Sequence, residues 1–169
     1  MNNWILKVKN WQIFLIFLIE YITGKYLLAI PEFAEGIFII LLISYVGWYV
    51  LLGNILHWHL PRNTTYSITW LVADAFLVIL FYTATIFIFN CNLEINGLLA
   101  IPGFYLFFAI AHLYWFPAAA LVSIENQKEA TFSQYAGTAI QLLFWPIGIW
   151  FAQPRLNKLN QSMQQTHKE

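Results

Sequence analysis

The sequence predicts an all-α protein, a polytopic bundle of helices dissolved in a lipid bilayer. Three observations lead there. The 169 residues are 60% hydrophobic and only 9% charged. Their apolar stretches are each about the length of one membrane crossing. No stretch alternates in polarity as the roughly ten-residue strands of a membrane barrel would. A soluble domain carries roughly 25% charged residues, and a small one leaves much of its surface wet. A chain with mean hydropathy +0.64 has too little polar surface for that, so lipid is its natural solvent.

A spanning helix needs about 20 mostly apolar residues, and the chain reads as four such spans followed by a fifth apolar segment. Residues 10–30 form the first and least apolar span, with Glu20 and Lys25 inside it. Lys7 and Lys9 precede it as in a signal peptide, but Glu20 interrupts the run and no small-x-small cleavage site follows, so a retained span is expected. Residues 31–35, "PEFAE", read as a short acidic link opened by a helix-stopping proline. The second span, 36–56, carries no charge. A polar loop with His57, His59 and Arg62 leads to the third span, 67–89, which holds Asp74. After a second link without basic residues comes the fourth span, 104–124, with His112 and a kink expected at Pro117.

The fifth segment, 135–152, is interrupted by Pro146 and Gly148. Proline removes a helix hydrogen bond and glycine weakens the turn beside it. Irregular backbone at membrane depth is tolerated only where protein or water satisfies it. The segment therefore either kinks and crosses or re-enters and returns. Residues 1–159 form one transmembrane domain on this reading, and 160–169 a frayed polar tail.

Lys and Arg in short loops stay on the cytoplasmic side. With the N-terminus cytoplasmic, Arg62 and Lys128 fall inside, and the two outer links carry no cation. A returning fifth segment would bring Arg155, Lys158 and Lys168 inside as well, leaving Lys25 as the exception. The charge rule thus leans toward a cytoplasmic C-terminus in a bacterial inner membrane. Arg62, Lys128, Arg155 and Lys158, set among tryptophans, form a rim suited to anionic lipid headgroups.

The strings "KVKNWQIFL" and "FWPIGIWFAQPRLNKL", at the two ends of the chain, resemble a group of small multi-spanning bacterial membrane proteins that have no known activity. That resemblance implies a membrane fold and transfers no function.

Ionisable groups inside spans cost about 2.5–3.5 kcal/mol on insertion scales and face the bundle interior. At about 1.5 Å rise per residue, Glu20 lies roughly 15 Å deep, His112 roughly 18 Å and Asp74 roughly 10 Å. Glu20 and His112 are therefore expected to share a level, with Asp74 one to two turns nearer the cytoplasm. Ser67, Asp74 and Thr85 fall on one side of the third span. Ala109, His112, Ala119 and Ser123 line one side of the fourth, a small-residue face open to close approach. An acid and an imidazole packed there could carry a proton, bind a cation, or hold two helices in register.

Other functional classes find little support. Net charge is zero and no basic run points to nucleic acid. A single cysteine, Cys91, excludes an internal disulfide or a CxxC motif. His57 and His59 could ligate a metal weakly, but a site needs a third or fourth ligand, so no metal and no cofactor is expected. GxSxG, HExxH and phosphate-loop signatures are missing. The leading expectation is an accessory or scaffolding subunit without its own chemistry, partnered by membrane lipids and by another membrane protein or a second copy. The alternatives are a proton- or ion-linked carrier using Glu20, Asp74 and His112, and a lipid-modifying enzyme with His57, His59 and Asp74 converging at the rim.

Overall fold

A computed structural model describes residues 7–88, 97 and 100–166. Six α-helices, α1 Asn10–Leu27, α2 Pro31–His57, α3 Ile68–Phe87, α4 Ala100–Asn126, α5 Phe132–Leu143 and α6 Trp145–Thr166, make up the described fold, and these residues form no strand. Three of them, α2, α3 and α4, are long and apolar enough to cross a membrane. The shorter α1, carrying Glu20 and Lys25, is not among them.

Boundaries differ from expectation where proline is involved. The 31–35 link does not exist as a link: Pro31 opens α2, where its fixed φ and missing N–H suit the first turn. α4 begins at Ala100 and runs through Pro117 to Asn126. Residues 160–166, expected to fray, continue α6. Cys91 and Lys168 lie outside the described residues.

α4 is the centre of the bundle, packing on α2, α3 and α5. Its second half is buried without a break from Phe116 to Ile124. Gly53 lets α2 come close here, since a Cβ at that position would lie 2.4 Å from a Leu71 methyl and 3.2 Å from the Phe116 ring. By contrast α1 packs on α2 and α6 at the edge of the bundle, burying Ile13, Phe17 and Gly24.

The fifth apolar segment is broken at Phe144 (φ −84°, ψ 66°), and its two halves fold back on each other as α5 and α6. The break falls two residues before Pro146, because the proline is placed in the first turn of α6, where it is tolerated. Gly148 explains how tightly the halves meet: a Cβ on it would sit 1.9 Å from the Gln141 carbonyl oxygen. Breaking a helix orphans its last carbonyls. Tyr49 of α2 answers this by donating its hydroxyl to the Leu142 carbonyl at 2.9 Å. The Phe144 carbonyl accepts the Gly148 N–H at 2.9 Å.

The open end of this hairpin is fastened beside the end of α4. Arg155 of α6 donates to both carboxylate oxygens of Glu125 at 2.8 and 2.5 Å, and to the Thr138 hydroxyl of α5 at 2.9 Å. Gln153 donates to the Val8 carbonyl at 2.8 Å, tying the N-terminus to the same end. The α2–α3 loop closes on this end too. Thr65 donates to Glu129 through its backbone N–H and its hydroxyl at 3.1 and 2.9 Å, and the Tyr66 hydroxyl donates to the Ala130 carbonyl at 3.0 Å. Burial raises the Tyr66 phenol above its ordinary value, with neighbouring Ser123 pulling the other way. Ser123 itself accepts the Ala130 N–H at 2.9 Å. Lys7, Lys9, Arg62, Lys128, Arg155 and Lys158 consequently belong to one end of the bundle, and Lys25 to the opposite end of α1.

Candidate functional site

Asp74 is the one buried carboxylate among the described residues. α3 turns it toward α4 because Leu71, Asp74, Ala75 and Val78 share the buried stripe of that helix. An ionised carboxylate away from water must be hydrogen-bonded to be tolerated. Both of its oxygens are satisfied from α4: Tyr105 donates its hydroxyl to Oδ1 at 2.7 Å, and His112 meets Oδ2 through Nδ1 at 2.5 Å. Tyr105 and His112 are seven residues apart, two helical turns, so both reach the same side of α4. The side chains of the pair are 14% (His112) and 9% (Asp74) exposed, so it is largely withdrawn from solvent.

With Nδ1 held by Asp74, the imidazole is fixed in orientation and Nε2 is left for another partner. None of the described residues supplies one. His112 borders a cleft of about 390 Å³ between α4 and α5, whose floor is Asp74 and His112 and whose walls include Tyr105, Trp115, Phe132 and Tyr135. Its exposed lining residues Tyr105, Phe108 and Trp115 lie along the length of α4 and not at its termini, so the cleft borders the flank of the bundle. Its volume falls within the range of small-molecule sites, which are mostly apolar with a few placed polar groups.

The wall is a chain of ring contacts. His112 and Trp115 have centroids 5.0 Å apart, Trp115 and Tyr135 6.2 Å, and Tyr135 and Phe132 5.6 Å. Helical spacing accounts for it: His112–Trp115 and Phe132–Tyr135 are i, i+3 pairs on α4 and α5. Chemically the arrangement can accept or donate one hydrogen bond at Nε2 beside an aromatic surface. The described residues of the lining include no Ser, Thr, Cys or Lys.

The other sequence-predicted residues are placed differently. Glu20, half-buried on α1, has no ion-pair partner among the described residues, and α1 packs on α2 and α6. Of the three residues of the expected polar centre, the structure brings two together: the carboxylate that meets His112 is Asp74, and Glu20 is not beside the pair. Equal depth does not bring side chains together when their helices are not neighbours. His57, His59 and Asp74 do not converge either. Asp74 is taken up by α4, His59 Nδ1 pairs with the Ile55 carbonyl at 2.7 Å, and His57 packs its ring toward Phe116 with Nδ1 buried and unpartnered. Among the described residues no group of three or more His, Cys, Asp or Glu side chains could hold a metal ion. In the cationic rim, Arg62, Lys128 and Lys158 are exposed, whereas Arg155 is committed to Glu125 and Thr138.

Sequence reasoning missed Tyr105, Trp115, Phe132 and Tyr135. Tyr105 had a usable signal, its two-turn spacing from His112. The α5 aromatics had none, because the turn after α4, with Gln127 at φ 53° and the Ala130 N–H tied to Ser123, is what lays α5 alongside α4. No protein-family profile, no curated protein and no solved structure matches this chain.

Proposed function

We propose that this is a small multi-pass membrane protein that holds a membrane-dissolved molecule in the α4–α5 cleft, acting as a binding or accessory component and performing no reaction of its own. One observation carries the reading: a buried Asp–His pair lines an apolar cleft whose exposed residues lie along the flank of α4. A guest entering there would arrive from the lipid phase. Engagement of Asp74 by both Tyr105 and His112 favours binding over catalysis. The packing of α1 on α2 and α6, away from the pair within one chain, weighs against the ion-carrier alternative.

The accompanying topology is four spans and a re-entrant hairpin, with both termini cytoplasmic. α5 is 12 residues long, about 18 Å at the helical rise, short of the roughly 30 Å hydrocarbon core. The gathering of cations at one end fits the cytoplasmic preference of Lys and Arg, and that end would lie among anionic headgroups. The bacterial inner membrane suits this arrangement.

The test is organic extraction of the protein after mild-detergent purification from native membranes. Wild type is expected to carry an uncharged lipid-soluble compound in near-stoichiometric amount, and Ala111→Phe, which fills the cleft from its exposed edge, is expected to lose it. Identical bulk-lipid profiles in the two preparations would overturn the reading.

A further inference from the structure

The chemistry of the cleft narrows its guest, provided it is a ligand site at all. We infer that it takes an uncharged, flat conjugated ring bearing a carbonyl or hydroxyl on an apolar tail, the class of quinones and quinols. Three features select this class.

The first is charge. Asp74 lies at the floor, and the described residues lining the cleft include no Lys or Arg. A phosphate or carboxylate headgroup would be repelled by Asp74 without a compensating cation beyond His112. A cationic head would meet His112 before it reached either carboxylate oxygen, both of which are already engaged. An uncharged head avoids both penalties.

The second is hydrogen bonding. Nε2 of His112 is the polar atom the pair leaves open. With Nδ1 oriented by Asp74, Nε2 accepts from a hydroxyl when the imidazole is neutral and donates to a carbonyl when it is protonated. A quinone offers the carbonyl and its quinol the hydroxyl, so one site serves both states of the same ring.

Shape is the third. The row Phe132–Tyr135–Trp115–His112 leads along the wall from its exposed edge to Nε2. Offset stacking on aromatic faces favours a flat conjugated head over a bulky saturated one. The position on the flank leaves a tail free to remain among the lipids.

The experiment titrates the full chain, reconstituted in nanodiscs, with a short-tailed benzoquinone, its quinol, farnesol and oleate. Binding is read as saturable quenching or shift of Trp115 fluorescence, isolated by subtracting the Trp115→Phe variant. The quinone and quinol are expected to saturate, with affinity falling about tenfold or more in His112→Ala through loss of a hydrogen bond in a dry site. Ala111→Phe leaves the Asp–His pair intact and should lose saturation, which guards against His112→Ala merely failing to fold. Farnesol binding as well as the quinone, with the same dependence on His112, would overturn the ring assignment while leaving the lipid-phase binding reading in place. Preference for oleate would overturn the charge argument. Absence of saturable binding by every probe would overturn both.

Discussion

Asp74 and Glu20 each lie well inside an apolar helix of this protein, and their surroundings are opposite. Asp74 sits on α3 against the central helix α4, buried, with each oxygen engaged by an α4 side chain. Glu20 sits on α1 at the edge of the bundle, half-buried and without an ion-pair partner among the described residues. The difference teaches that an intramembrane acid is read through the helix it faces. A carboxylate between core helices must be paired, because its desolvation is otherwise uncompensated. One at the edge of the bundle, like Glu20, has no described polar group packed against it that its loss would orphan.

The largest expected effect breaks the core side of this comparison. Asp74→Ala or His112→Ala alone leaves an uncompensated buried group and is expected to destabilise by about 3–5 kcal/mol. Replacing both with leucine should cost clearly less than the sum, since no buried charge is left unpaired and only the hydroxyl of the exposed Tyr105 loses its partner. Steric-trapping or detergent-denaturation measurements of the four proteins would read this. Additive losses would mean that the two side chains are not coupled.

An intermediate effect is expected at the hairpin that builds the cleft wall. Gly148→Ala forces a methyl group against the Gln141 backbone, and overpacking costs about 1–3 kcal/mol or more when backbone must move. A C-terminal reporter should read cytoplasmic in wild type and become mixed or proteolytically sensitive in the variant. A variant as stable as wild type, with its reporter unchanged, would show that the close approach is not required.

The smallest effect sharpens the contrast from the other side. Glu20→Gln is expected to change stability by no more than about 0.5 kcal/mol, as for substitutions away from buried networks. Quench titrations of the cleft should be unaltered as well. A loss comparable to Asp74→Ala would place Glu20 inside a network and erase the distinction drawn between the two acids.

Much of this organisation was legible in the residues, and the exceptions have identifiable causes. Asp74 and His112 stood out because charge inside an apolar run is costly wherever the run ends up. Which carboxylate meets the imidazole was not legible: depth estimates treat helices as parallel rods, and Glu20 and His112 came out level without being adjacent. The aromatics of α5 escaped notice because they join the site only through the turn between α4 and α5, which lays α5 back along α4. Pro31 misled: it looked like the end of a helix and instead opens the next one, where a missing N–H costs nothing. The break expected around Pro146 is present, with the proline in the first turn of α6.

By itself, then, the amino-acid order determined the class: apolar runs too long for strands, and few charges. These follow from composition and period, which each residue carries with it. Helix neighbours were decided by the tertiary structure alone, as were the doubling back of the fifth segment and the pairing of Asp74 with His112. Those depend on close approach between residues distant in the chain, set by small side chains such as Gly53 and Gly148 and by which partner can satisfy a buried polar group.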